Sequence, residues 1–150
     1  MPDQPLEPPS ITATMLLAEA AQVSEGKLFV LGGGLAILPA QPQPTALALL
    51  VKVPWDRGED RIEWVCELLD ADGVPVMAGD RPVLVNGELQ AGRPAGWPDG
   101  APLHVPIAIN FSALPVAGGR RYTWRLVMDG ATEPEWETSF TAANPAPRPT

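Results

Sequence analysis

Nineteen of the chain's 150 residues are proline, against a usual share of about 5%. Twelve of them, from Pro39 to Pro134, punctuate the middle of the chain. Each removes a backbone donor and clashes with a preceding helical turn, so little uninterrupted room for helices remains. The other seven are Pro2, Pro5, Pro8, Pro9, Pro145, Pro147 and Pro149. They make residues 1–11 and 143–150 read as loose, Pro-rich tails. The stretch between, residues 12–142, is one domain large enough to bury a core.

Within that domain turn signals recur at Glu25-Gly26, Asp72-Gly73, Asn86-Gly87, Asp99-Gly100, Gly118-Gly119 and Asp129-Gly130. Apolar runs between them are short and spaced by about ten residues, which is the pattern of a sandwich or barrel. Period two is clear in RRYTWRLVMDG, where Tyr122, Trp124, Leu126 and Met128 alternate with Arg121, Thr123, Arg125 and Val127. It recurs in EWETSF through Trp136, Thr138 and Phe140, and in LHVPIAINF through Leu103, Val105, Ile107, Ile109 and Phe111. Each stretch has one dry face and one wet face. Pro106 cannot donate to a ladder, so its strand belongs at an edge or carries a bulge.

Two windows are ambiguous. ITATMLLAEAAQV contains good helix formers, and RIEWVCELLD fits both a helical and a strand period. Both read as strands, the second because it is short and runs straight into Asp72-Gly73. The fold class is therefore all-β: a single Ig-like or C2-like antiparallel sandwich of about eight or nine strands. Its expected core is Leu28, Val30, Leu47, Leu49, Val51, Ile62, Trp64, Cys66, Leu68, Val105, Ile107, Ile109, Tyr122, Trp124, Leu126, Trp136 and Phe140.

The stretch KLFVLGGGLAIL resembles a phosphate-binding loop at first sight. Such a loop needs a helix after the glycines, to point its N-terminal amides at the anion. Here only Leu35, Ala36, Ile37 and Leu38 separate Gly34 from Pro39. The glycines thus make a bulge or corner between two strand segments.

Net charge is −8, with eight arginines and two lysines scattered among eighteen acidic residues. No basic stripe exists to neutralise phosphates, so nucleic acid and anionic membrane are poor partners. No stretch approaches the roughly 18 apolar residues of a membrane span. The acidic, Pro-rich N-terminus lacks the pattern of a signal peptide, and the expected location is the cytoplasm. A single cysteine, Cys66, excludes an internal disulfide and falls in the apolar phase of its strand, as a core residue does.

The remaining candidates for chemistry are thin. His104, the one histidine, lies in the polar phase of its strand and faces water. Asp70-Ala71-Asp72-Gly73 resembles the start of a calcium loop but lacks the third acidic ligand and the later glutamate, so it reads as a hairpin turn. Arg120 and Arg121 can pair with Glu135 and Glu137 across a hairpin. The loops VPWDRGED and AGRPAGWPDGAP are more suggestive. An aromatic in a Pro/Gly loop is either a lid over the sandwich end or an anchor for a partner. Trp55, Arg93, Trp97 and Asp99 are accordingly the candidate partner-binding residues. No catalytic, cofactor or metal residues are assigned.

The segments ATMLLAEAAQVSEGKLFVLGGG, ALALLVKVP, RIEWVCELLDADGVPV and GRRYTWRLVMDG…EWETSFTA together resemble an uncharacterised bacterial family of short cytoplasmic proteins. That family is catalogued as a domain of unknown function and is frequent in actinobacteria; the resemblance covers about residues 12–142. It implies a β-sandwich and supports a strand for the first ambiguous window, and it brings no catalytic residues. The expected function is non-catalytic: a protein-interaction or scaffold module, binding a protein partner or self-associating through an edge strand. The alternative is a small-ligand-binding protein or enzyme with a pocket at the loop end.

Overall fold

The structure, a computed structural model, describes residues 10–39 and 41–144. Most of the two expected Pro-rich tails lies outside the described residues. Strands β1 (Thr12–Ala18), β2 (Ala20–Ser24), β3 (Lys27–Leu31) and β4 (Ile37–Leu38) precede the long β5 (Thr45–Val53). After a 3-10 turn at Trp55–Arg57 come β6 (Ile62–Asp70), β7 (Met77–Ala78), β8 (Arg81–Pro82) and β9 (Leu84–Leu89). Strands β10 (Leu103–Phe111), β11 (Arg121–Met128) and β12 (Glu137–Ala142) complete the order. The protein is all-β, and both ambiguous windows are strands.

A three-stranded sheet, β1-β5-β10, faces a five-stranded sheet, β4-β12-β11-β6-β9. Their ladders are antiparallel except for the short parallel pairing of β4 with β12. One phase of each strand fills the space between. Leu47, Leu49, Val51 and Val53 of β5 meet Ile62, Cys66 and Leu68 of β6 and Trp124 and Leu126 of β11, all fully buried. Trp124 stacks on Phe111 at 5.0 Å and Tyr122 on Phe140 at 5.6 Å. Offset aromatic pairs of this kind add about 0.5–1.5 kcal/mol beyond their buried area. Pro106 lies on β10, an edge strand, whose outer side has no ladder partner among the described residues to need its missing donor.

The first half of β5 is dry on its other side too, where its residues Ala46 and Ala48 are small. Ala46 and Ala48 are buried against Ala21, with Leu28 and Ala108 packed around them. This alanine floor lets the β2–β3 hairpin lie close across the outside of the three-stranded sheet. Asn110 fastens it: its Nδ2 donates to the Ala21 carbonyl at 2.8 Å, and the Ala21 amide donates to its Oδ1 at 3.3 Å. The side-chain amide thus completes both backbone hydrogen bonds of a residue with no further strand beside it.

Three expectations need correction. Val30, placed in the core by its phase, is 39% exposed, because its hairpin lies outside the two-sheet core. Asn86-Gly87 is no turn but the middle of β9, opposite Val65 and Trp64. A Cβ on Gly87 would stand 2.6 Å from Cζ2 of Trp64, so the glycine makes room for the indole to cross the neighbouring strand. The arginine–glutamate ladder is also differently set. Arg121 faces Thr141, and it is Arg125 that faces Glu137 across the hairpin while its guanidinium binds Glu67 on β6. The glycine run does form a corner: Gly32 and Gly34 have φ of 62° and 81°, and the chain turns there from β3 towards β4.

Gly87→Ala should lower stability by about 1–3 kcal/mol, the usual cost of overpacking a filled site, seen as a drop in Tm without a change of far-UV spectrum. Burial pushes the Cys66 thiol up to about 12 from an ordinary 9.0. In the unfolded chain the thiol ionises near the lower value, so stability held below that pH is lost as pH rises from 9.0 towards 12. Cys66→Ala should flatten that alkaline fall in denaturant titrations, and Cys66 in the native protein should resist thiol reagents at neutral pH.

Candidate interaction surfaces

The loop end of the structure brings together three of the four residues expected to bind a partner. Pro54 ends β5 and the 3-10 turn follows, placing Trp55 half-buried against the core. Arg93 lies over its ring at 5.1 Å, and its Nε and Nη2 donate to the Trp55 carbonyl at 3.1 and 2.9 Å. Arg93 Nη1 also lies 3.7 Å from Glu59. Gly58 permits this closeness, since a Cβ there would stand 2.9 Å from Leu103 and 3.1 Å from Arg93. Trp97 is half-buried as well, with its edge towards His104 at a ring distance of 6.0 Å. Its Nε1 is buried without a hydrogen-bond partner among the described residues. Asp99 is exposed on the same loop.

Both tryptophans therefore cover the end of the core. The recess beside Trp97, bounded by Ala91, Pro94, Leu103 and His104, measures about 30 Å³, room for a water molecule or two. His104 is exposed, as its phase implies. Asp70 spends its carboxylate within its own turn, where Oδ1 accepts from the amides of Asp72 and Val74 at 2.9 and 3.0 Å. Among the described residues no three His, Cys, Asp or Glu side chains converge as metal ligands would.

A different surface carries the exposed apolar residues. On the β2–β3 hairpin Phe29 is 54% and Leu31 65% exposed. The register sets them on the side opposite Ala21 and Leu28, which face the alanine floor. At the rim Val30 meets Leu16 of β1, itself 42% exposed; a Cβ on Gly33 would touch both side chains. The one signal for this surface in the sequence is the unbroken apolar run LFVL. A strand dry on only one side alternates, whereas this one is apolar on both, with one side left uncovered. A smaller exposed set, Val74, Met77 and Leu84, flanks the β7–β8 hairpin.

The half-burial of Trp97 fixes what its removal does. Trp97→Ala should cost about 2 kcal/mol, below the 3–5 of a fully buried tryptophan, read as a lower Tm in thermal unfolding.

Neither a curated protein nor a solved structure matches the chain. One family model does, over residues 13–142, which takes in β2, β3 and both facing sheets and all but the first residue of β1. The chain belongs to DUF6941, a family of unknown function.

Proposed function

We propose that this protein is a non-catalytic interaction module whose contact surface is the outer side of the β2–β3 hairpin. The observation that carries the reading is the exposure of Phe29 and Leu31 on the outer side of a hairpin fixed from below, with the exposed Val30 and Leu16 of β1 at its rim. The largest apolar patch on a protein's surface is often the functional one. Trp55, Arg93, Trp97 and Asp99 become a secondary surface, in which the exposed Arg93 and Asp99 are the accessible groups and the indoles serve the core. The small recess beside Trp97 gives the small-ligand alternative no support.

An Ig-like form of the sandwich belongs to the same proposal. The pairing β1-β5-β10 against β12-β11-β6-β9 follows the A-B-E and G-F-C-C′ strand orders of that fold. Tyr122, near the start of β11, accepts a hydrogen bond on its hydroxyl from the Ala117 amide at 2.8 Å, as a tyrosine corner does. The bacterial cytoplasm is the setting that the single, buried cysteine and the acidic charge support. The scattered arginines likewise support a partner other than nucleic acid or anionic membrane.

A Phe29→Gln/Leu31→Gln variant should keep the wild-type Tm and lose whatever protein, its own kind or another, the wild type retains in affinity capture from native lysate. An Asp99→Ala control should retain it. Equal retention by the Phe29/Leu31 variant and the wild type would contradict the proposal.

A further inference from the structure

We infer that the partner is a second copy of the chain, docked along the free edge of β3 that borders this surface, edge to edge and antiparallel, about a two-fold axis at Phe29. The inference rests on the interaction reading above and names its partner. Strand β3 has one ladder neighbour, β2, and among the described residues its other edge is unpaired. Open edges recruit further strands, and proteins blunt them with charges, prolines or bulges. Lys27, at one end, is the sole such device on Lys27–Leu31; the other four residues are large and apolar. Flat apolar segments with so little charge pair readily with copies of themselves.

The strand is self-complementary under that two-fold. Phe29 meets its counterpart at the axis, Leu28 meets Val30, and Lys27 meets Leu31. A cross-strand aromatic pair is among the favourable contacts of an antiparallel ladder. The far end of the strand supplies a charge for Lys27. The Glu19 side chain lies against Gly32, where an added Cβ would come 2.7 Å from its Cδ, one residue beyond Leu31. Each copy therefore brings a basic end to the other's acidic end, with the Lys27 stem lying over Leu31. Two such contacts form at once, as an isologous interface requires.

Sedimentation equilibrium over a wide concentration range tests this on the full chain. The wild type should be a dimer, and Lys27→Glu should weaken it about tenfold because two contacts change sign together. The exchanged double variant Glu19→Lys/Lys27→Glu should restore it. Phe29→Cys should form a disulfide-linked dimer under mild oxidation, while Asp99→Cys does not; Cys66, buried, stays silent. A wild type monomeric at every concentration overturns the inference. So does a dimer that ignores both the charge exchange and the cysteine at position 29. If the wild type is monomeric but lysate capture still depends on Phe29 and Leu31, a foreign partner replaces the second copy and the interaction reading stands. If neither holds, both fall.

Discussion

The burial of the first half of β5, residues 45–49, on both sides is the constraint from which the rest follows. Its large residues, Leu47, Leu49, Val51 and Val53, face the five-stranded sheet and close the main core. Its small ones, Ala46 and Ala48, face outward and would be wet in a plain two-sheet protein. A layer of alanines gains little by itself from burial, but it allows a second backbone to approach closely. The β2–β3 hairpin takes that place, and Asn110 satisfies both backbone groups of Ala21 on its open edge. An apolar hairpin seated on so thin a floor can bury only one of its sides. Phe29 and Leu31 are the consequence, and the interaction reading grows from them.

The loop end shows the opposite outcome of the same economics. Its two tryptophans have ready-made cover, Trp55 from the Arg93 guanidinium and Trp97 from Pro94, Leu103 and His104, so their rings close the core. Burial there is worth more than display, and no large apolar side chain of these loops stands exposed. Exposure of a large side chain is therefore informative on the hairpin and uninformative on the loops. Aromatic content alone would rank the two surfaces the wrong way round.

Much of the fold was legible in the sequence where one strand side is wet. Tyr122, Trp124 and Leu126 are buried and alternate with half-buried neighbours, Ile62 to Leu68 alternate likewise with less buried ones, and Pro106 marked an edge. The resemblance read over residues 12–142 agrees with the family match over 13–142, so the family was legible as well. What failed depends on distant partners. Gly87 looks like half of a turn until the indole of Trp64, on the neighbouring strand, is seen to occupy its missing side chain. Val30 has the phase of a core residue, and nothing local reveals that its hairpin leaves the main core. The exposed apolar surface was missed for the same reason: LFVL is apolar on both sides, and only the alanine floor decides which side is covered.

Residue-resolved hydrogen exchange over residues 20–31, in the dilute wild type and in Asn110→Ala, tests the seating of the hairpin most directly. In the wild type the β2–β3 amides should be protected well above random-coil rates. In Asn110→Ala their exchange should quicken selectively, while β5, β6 and β11 keep their protection. Free exchange of residues 20–31 in the wild type, with the two-sheet core still protected, would mean that the hairpin is not seated on β5 and presents no fixed surface.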